Sequence, residues 1–132
     1  MMKKDQMKEL TRSEEQIMQI LWKLEKGFVN DIVELMPDPK PAYNTVSTVI
    51  RILENKHFVA HKAYGKTHEY FPLISKDEYS GSSLNRLVNN YFDNSYHSLA
   101  SFFAKNGKMT VAELETIKKM IDEELILKKD KK

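Results

Sequence analysis

Between residues 41 and 56 the apolar side chains recur at three- and four-residue steps, as they do along one face of a helix. These apolar positions are Val46, Val49, Ile50 and Leu53. The opposite face carries a second stripe with helical spacing, made of Asn44, Ser47, Thr48, Arg51 and Asn55. This stripe offers amides, hydroxyls and a guanidinium with almost no acid, and such groups hydrogen-bond to base edges and phosphates. We therefore predict a DNA recognition helix, with an ordinary solvated helix face as the alternative.

Two further helices are predicted before this one. Thr11 and Glu14 have the spacing of a capping box, which places the start of the first helix. Its apolar stripe is Ile17, Met18, Ile20, Leu21, Trp22 and Leu24, and Gly27 is expected to end it. A short second helix over residues 30–36 makes Ile32, Val33, Leu35 and Met36 available for burial. Three prolines at 37, 39 and 41 then stop this helix and stiffen the connection to the recognition helix.

After Lys56 the pattern becomes that of strands. Residues 58–63 and 67–71 are rich in aromatic and β-branched side chains and flank Gly65, which is typical of a two-stranded hairpin. Because an isolated hairpin is marginal in water, we expect Phe58 and Tyr70 to pack on the helices. Three helices followed by a hairpin predict a winged helix, a variant of the helix-turn-helix.

The remainder of the chain is again helical. Capping boxes at Ser75–Glu78 and Thr110–Glu113 predict two helix starts, and residues 93–95 break the pattern between them. These helices have apolar faces but too few residues for a core of their own, so we expect burial against a second copy of the chain. Dimer contacts are assigned to Leu87, Tyr91, Leu99, Phe103, Leu114, Ile117 and Ile121.

The predicted fold class is therefore mainly α with a small β-hairpin. It divides into a winged-helix DNA-binding domain over residues 1–75 and a helical dimerisation domain over residues 76–132. A length of 132 residues with 41% hydrophobic and 30% charged residues fits such a globular protein. No apolar run approaches the roughly 18 residues of a membrane span. The first residues also lack the apolar core of a signal peptide, so we expect a cytoplasmic protein.

The net charge of +2 is close to balance, so the placement of charges matters more than their sum. Residues 40–68 contain one acid, Glu54, against Lys40, Arg51, Lys56, Lys62 and Lys66. A surface that binds a DNA groove needs such a local basic excess. Lys62 and Lys66 are therefore assigned contacts to phosphates, with a solvated hairpin surface as the alternative.

Metal and enzymatic chemistry find little support in the residues. The chain has no cysteine, which excludes disulfides and thiolate metal ligands. His57 and His61 are four residues apart but straddle the change from helix to strand, so they do not form a helical metal-binding pair. No phosphate-binding glycine motif and no nucleophile with its base can be assembled. We expect no enzyme, no cofactor and no metal, and we assign the C-terminal aromatic side chains to dimer burial rather than to a small-molecule pocket.

Taken in order, these segments resemble the penicillinase-repressor family, which includes the methicillin-resistance repressors and copper-responsive repressors. The resemblance covers about residues 10–124. It rests on residues 10–22 (LTRSEEQIMQILW), 44–53 (NTVSTVIRIL) and 98–106 (SLASFFAKN), together with Tyr70 in the wing. It implies a homodimeric transcriptional repressor, connected with β-lactam resistance, that reads an inverted-repeat operator in double-stranded DNA.

The resemblance also implies roles for individual residues. The base-contacting positions of the family fall on Asn44, Thr45, Ser47 and Thr48, and the DNA-binding set is completed by Tyr43, Arg51, Lys62 and Lys66. The family usually has basic side chains at the positions of Asn44 and Ser47, and an arginine at that of Ile52. These departures imply a different operator sequence.

Members of the family that respond to β-lactams are inactivated by proteolysis in the C-terminal region, through a membrane-bound zinc-protease sensor. The bond that is cut is typically Asn-Phe, and the equivalent bond here is Phe102-Phe103, whose first residue does not match. The copper-responsive members use a C-terminal cysteine cluster, which this chain lacks. The alternative function is a winged-helix module whose third helix docks a partner protein, because a fold alone does not decide function.

Overall fold

The computed structural model describes residues 7–131. Its elements are, in order, α1 (Arg12–Leu24), β1 (Gly27–Phe28), α2 (Val29–Glu34), α3 (Tyr43–Asn55), β2 (Val59–Tyr64), β3 (Thr67–Pro72), α4 (Lys76–Tyr91), α5 (Tyr96–Lys105) and α6 (Val111–Asp130). The chain divides into two compact units that meet between Leu84 and Asn85, within α4. The architecture is mainly α with a small sheet, and its N-terminal part is a winged helix.

All three predicted capping boxes are present, and they begin α1, α4 and α6. Thr11 Oγ1 accepts the N–H of Glu14 at 3.2 Å, and Glu14 Oε1 accepts the N–H of Thr11 at 2.8 Å. The pair Ser75–Glu78 makes the same two bonds before α4, and Thr110–Glu113 makes them before α6. Each box satisfies two backbone N–H groups that a helix start leaves free, so these starts follow from local sequence.

The core of the first unit lies between α1, α2, α3 and the sheet. It includes Ile17, Met18, Leu21, Ile32, Val46, Ile50, Leu53, Phe58, Val59 and Tyr70. Phe58 is fully buried and Tyr70 is 4% exposed, which confirms the expectation that the hairpin packs on the helices. Leu35, in contrast, was expected to be available for burial and is 55% exposed. Burying each large aliphatic side chain contributes about 1.5–3 kcal/mol, so this cluster holds α3 firmly against α1.

The sheet has three strands rather than the two that the sequence predicts. β2 pairs antiparallel with β3, with Tyr64 opposite Thr67 next to the turn. β1 pairs with the other edge of β3, where Gly27 lies opposite Tyr70. The expectation that Gly27 ends α1 is therefore wrong, because α1 stops at Leu24 with Glu25 as its C-cap.

Within the first unit, aromatic side chains connect the strands of the sheet and bind the start of α4. The rings of Phe28 on β1 and Tyr64 on β2 lie 6.0 Å apart. The hydroxyl oxygen of Tyr79 on α4 accepts the buried N–H of Leu10 at 2.9 Å. Trp22 Nε1 donates to the carbonyl oxygen of Ile74 at 2.9 Å, and its ring lies 6.1 Å from that of Tyr79. The start of α4 is thus part of the winged-helix unit.

The second unit contains the end of α4 with α5 and α6. Ser95 caps α5, since its hydroxyl oxygen accepts the N–H of Ser98 at 3.1 Å. The rings of Phe92 and Phe102 meet edge to face at 5.5 Å. No described side chain of α5 or α6 is buried. Tyr91 is 76% exposed and Ile121 is 54% exposed, so this unit presents apolar surface to solvent. Within residues 7–131, no helix is long and apolar enough to cross a membrane.

Candidate nucleic-acid interface

α3 presents a polar face to solvent from its first turn onward. Val46, Ile50 and Leu53 are buried on its inner side, which turns the opposite stripe outward. The side chains on or beside this stripe that are exposed are Tyr43, Asn44, Thr45, Thr48 and Arg51, and Ser47 is half-buried. All six helix residues that the sequence assigns to DNA are therefore accessible.

The hydroxyl of Thr48 is already engaged within the helix. It donates to the backbone carbonyl oxygen of Asn44 at 2.8 Å. A hydroxyl has one hydrogen and two lone pairs, so Thr48 Oγ1 retains its acceptor capacity toward a ligand. Thr48 thus offers an acceptor oxygen and a methyl group on the outer face of α3.

A cleft of about 240 Å³ lies between α3 and the wing. Its lining residues are Val29, Tyr43, Ser47, Arg51, Lys66, His68 and Tyr70. The fold thus brings together four of the predicted DNA-binding residues, from α3 and from the hairpin turn. Lys62 lies outside this lining, and its Nζ is 5.4 Å from the centroid of the Tyr64 ring.

Two histidines of the wing stack beside this cleft. The rings of His61 and His68 are nearly parallel, with centroids 4.0 Å apart and planes at 10°. His61 Nδ1 also lies 2.6 Å from Glu54 Oε2, so the single acid of residues 40–68 has a partner. From the sequence, His61 is considered only as a possible metal ligand, and this stack is not predicted. The hairpin register was the available signal, because His61 faces Tyr70 and Ala63 faces His68, which makes the two histidines diagonal neighbours.

Tyr70 forms the buried side of the cleft. Burial, and secondly the carboxylate of Glu54, raise the pKa of the Tyr70 hydroxyl above its ordinary value, although Arg51 acts in the opposite direction. The phenol therefore remains protonated at neutral pH. A neutral hydroxyl is able to donate a hydrogen bond to an anion in the cleft.

Two of the five cations that make up the local basic excess form hydrogen bonds to other groups of the protein. Lys56 Nζ binds both carboxylate oxygens of Glu14 at 2.9 Å. Lys40 Nζ donates to the backbone carbonyl oxygens of Glu34 at 2.7 Å and Met36 at 3.0 Å. The basic surface is therefore smaller than the sequence count suggests, and on α3 and the wing it consists of Arg51, Lys62 and Lys66.

Glu14 supports the end of α3 from inside the protein, although the sequence indicated it only as a helix cap. Its side chain is 4% exposed and connects the start of α1 to the end of α3. Burial acts to raise the pKa of Glu14, but hydrogen bonds from Lys56 and from the N–H of Thr11 outweigh it, so the pKa is lowered. The ionised carboxylate thus anchors the C-terminal end of α3.

The residues assigned to dimerisation and cleavage lie in α4, α5 and α6. Leu87, Tyr91, Phe103 and Ile121 are exposed, and Leu99, Leu114 and Ile117 are half-buried. The Phe102-Phe103 bond lies within α5, and both of its side chains are exposed. In the part of the chain from residue 7 to residue 131, no group of three or more His, Cys, Asp or Glu residues could hold a metal ion.

The sequence of this chain matches a known protein family. Residues 10–123 match the family model of the penicillinase repressors. The methicillin resistance regulatory protein MecI of Staphylococcus aureus strain N315 is 22% identical over 117 residues, covering 86% of this chain and 94% of that protein. The proteins of the same name from Staphylococcus epidermidis and Mammaliicoccus sciuri have the same identity and coverage.

Among solved structures, the adhesin competence repressor AdcR of Streptococcus pyogenes has a TM-score of 0.42 and 14% sequence identity, and the match covers 86% of this chain and 78% of that one. Because the family model spans nearly the whole length, the assignment rests on the sequence comparison. It agrees with the resemblance carried by the first helix, the recognition helix and α5. The chain belongs to the penicillinase repressor family.

Proposed function

We propose that this protein is a homodimeric, sequence-specific DNA-binding transcriptional repressor. Family membership supports the class of regulator. The observation that carries the proposal is the outward face of α3, which combines amide, hydroxyl and guanidinium groups with no acid in its first turn. The wing adds Lys66, which lines the cleft, and Lys62, whose Nζ lies outside the lining at 5.4 Å from the centroid of the Tyr64 ring. In the proposed function, residues 1–75 bind DNA, and the helices within residues 76–132 that follow the start of α4 join two chains.

The residues on the outward face of α3 can make different contacts with DNA. The amide of Asn44 can bind adenine in a bidentate manner, through the N6 amino group and N7. Thr48 keeps an acceptor oxygen and a methyl group, which suit an amino group of a base or the methyl of thymine. Arg51, one turn further along, is within the cleft at the wing, where contact to the DNA backbone is favoured.

The homodimer is supported by the apolar surface of the second unit. Leu87, Tyr91, Phe103 and Ile121 are exposed in the single chain, which is unfavourable in water unless they are covered. A twofold dimer places two copies of α3 in successive major grooves. It therefore needs an inverted-repeat operator, with half-sites about one helical turn apart or a multiple of that spacing.

The test is the selection of binding duplexes from a random pool by the full-length protein, followed by affinity measurements at several salt concentrations. We expect an inverted repeat to be enriched and the logarithm of the affinity to fall linearly with the logarithm of the salt concentration. Failure to enrich any sequence, or an affinity that is nearly independent of salt, would contradict the proposal. That result would favour a module that docks a partner protein.

We further propose that repression is relieved by a cut at Phe102-Phe103, started by a membrane-bound metalloprotease sensor. The bond lies in α5, and the ring of Phe102 is exposed. The cut would separate α6, with Leu114, Ile117 and Ile121, from the winged helix. Because both half-sites are held by one linked particle, losing the link can reduce avidity by about 10²–10⁴.

A fragment of residues 1–102 tests this mechanism beside the full-length chain. We expect the fragment to keep the fluorescence of Trp22, which reports on the first unit, and to sediment as a monomer. It should not retain the operator at concentrations where the full-length chain saturates it. A monomeric fragment with undiminished affinity would disprove the mechanism, and a dimeric fragment would place the dimer contacts in α4 and α5 instead.

A further inference from the structure

We infer that the cleft between α3 and the wing is a binding site for one phosphate oxyanion, supplied by a single phosphodiester of the operator backbone. The inference rests on the proposed function, because DNA supplies the ligand. Arg51 comes from α3, Lys66 from the hairpin turn and His68 from β3, and all three line one cleft. Three side chains that carry nitrogen donors, from three separate positions of the fold, thus line one space.

The composition of the lining favours an anion. A guanidinium can bind two phosphate oxygens with parallel hydrogen bonds, and a lysine adds a compact positive charge. Tyr43, Ser47 and Tyr70 contribute hydroxyl groups, and no acid is among the lining residues. The carboxylate of Glu54 lies within hydrogen-bonding distance of His61 at 2.6 Å, which gives this nearby negative charge a partner.

Two of the lining groups are held in place before any ligand arrives. The imidazole of His68 lies flat against His61 at 4.0 Å. Tyr70 is buried, and the centroid of its ring lies 5.5 Å from that of His61 and 6.2 Å from that of His68. Donors fixed in this way lose little conformational entropy when they bind, which favours a specific site over a diffuse basic surface.

The lining of the cleft suits a phosphate group better than a base. The volume of the cleft, about 240 Å³, leaves room for a phosphate group. Three of the four predicted base-contacting residues, Asn44, Thr45 and Thr48, lie outside the lining, and Ser47 belongs to it. The charged groups of the cleft would therefore fix the register of the helix on the duplex without reading sequence.

The test uses the full-length protein and its selected operator, in which phosphodiesters are replaced one at a time by neutral methylphosphonates. For the wild-type protein we expect one position in each half-site where the replacement weakens binding about tenfold, as for the loss of a charge-assisted contact. In Arg51→Ala, Lys66→Ala and His68→Gln the same replacement should cost less than about threefold, because the contact is already lost. Arg12→Ala and His57→Ala alter exposed residues outside the cleft and should keep the tenfold effect.

The outcomes separate this inference from the proposed function and from a second source of phosphate. If the wild-type protein binds its operator but all three cleft variants still lose about tenfold in affinity at the same methylphosphonate position, the cleft does not bind that phosphate. The proposed function would then stand without the phosphate site. If no duplex is bound at all, the proposed function itself fails. Replacing chloride by inorganic phosphate at equal ionic strength tests free phosphate as the other source of the ligand. The opposing result would be that inorganic phosphate lowers operator affinity in the wild-type protein but not in Arg51→Ala, while no methylphosphonate position depends on the cleft residues. That result would show that the cleft binds free phosphate and not the duplex.

Discussion

At the scale of single residues, His57 carries a backbone conformation that its side chain does not favour. It follows α3 with φ at 66°, in the left-handed region. The N–H of Phe58 reaches the carbonyl oxygen of Leu53, and the N–H of His57 reaches that of Glu54, both at 3.0 Å. These two bonds form a Schellman motif, in which the left-handed position is usually glycine. A side chain with a Cβ costs about 1 kcal/mol there.

Replacing His57 by glycine should therefore stabilise the protein. We expect His57→Gly to raise the free energy of unfolding by about 0.5–1 kcal/mol, measured by urea denaturation. His57→Ala is the matched control, because it removes the exposed imidazole but keeps the Cβ. Equal stabilities of the two variants would mean that the conformation at residue 57 carries no strain.

A second prediction concerns Glu14, whose substitution should lower the free energy of unfolding. Glu14→Gln removes the charge that Lys56 binds at 2.9 Å and leaves that ammonium group without its counterion. We expect a loss of about 1–3 kcal/mol in the free energy of unfolding at pH 7. Glu78→Gln is the control, because Glu78 closes the equivalent capping box of α4 and should cost less.

The effect of Glu14 should depend on pH with a definite sign. The pKa of Glu14 in the folded protein lies below its ordinary value of 4.5. The unfolded state therefore binds the proton more tightly, and the contribution of Glu14 is complete above about pH 4.5 and falls as pH falls through the folded pKa. The stability difference between wild type and Glu14→Gln should shrink across that range in urea melts at successive pH values. A difference that grows on acidification would contradict a lowered pKa.

The contacts of Glu14 also show which interactions can be predicted from the sequence and which cannot. Thr11 and Glu14 are three residues apart, so their capping box can be predicted from a local rule. The bond between Glu14 and Lys56 spans 42 residues, and the bonds of Lys40 to carbonyl oxygens depend on the path of a proline-rich loop. A long cationic side chain can reach many partners, so counting charges along the chain overstated the basic surface.

At the scale of elements, α3 should determine which operator is chosen. Asn44→Ala removes an amide from the first turn of the outward face. It should cost about 1–3 kcal/mol of operator affinity and relax base preference at one position in each half-site. The measurement is a repeat of the duplex selection with the variant. An unchanged selected sequence would show that α3 is not the reading element.

The wing provides the contrast to this prediction. Lys66 lies at the hairpin turn and lines the cleft, whereas Asn44, Thr45 and Thr48 lie outside its lining. Lys66→Ala should weaken binding to all sequences alike and reduce the salt slope by about 1. The two variants together separate reading by α3 from positioning by the wing.

The elements themselves were largely predictable. Each helix start with a capping box and an apolar stripe is encoded within a few residues, and Gly65 with φ at 63° marks the hairpin turn. β1 could not be predicted, because two residues, Gly27 and Phe28, carry no period and pair only with the distant β3. The cleft was missed for the same reason, since His68 and Tyr70 approach Arg51 only after the wing folds against α3.

At the scale of the whole molecule, the exposed apolar surface of the second unit makes the oligomeric state testable. Within α6, Leu114, Ile117 and Ile121 recur at helical spacing, and Ile121 is more than half exposed. If this stripe joins two chains, a carboxylate placed on it would be desolvated in the interface at a cost of several kcal/mol. Ile121→Glu should therefore break the dimer without disturbing the first unit, whose core includes none of these residues.

Sedimentation and operator binding measure the consequences. We expect Ile121→Glu to have the mass of one chain at micromolar concentration, where the wild type has the mass of two, with unchanged Trp22 fluorescence. Its operator affinity should fall by about 10²–10⁴, because the second half-site is no longer held at high effective concentration. Thr116→Glu places the same charge five residues earlier, on the opposite face of α6, and should remain dimeric. If Ile121→Glu stays a dimer, α6 is not the contact, and the apolar side chains of α4 and α5, Leu87, Tyr91 and Phe103, become the surface to change next.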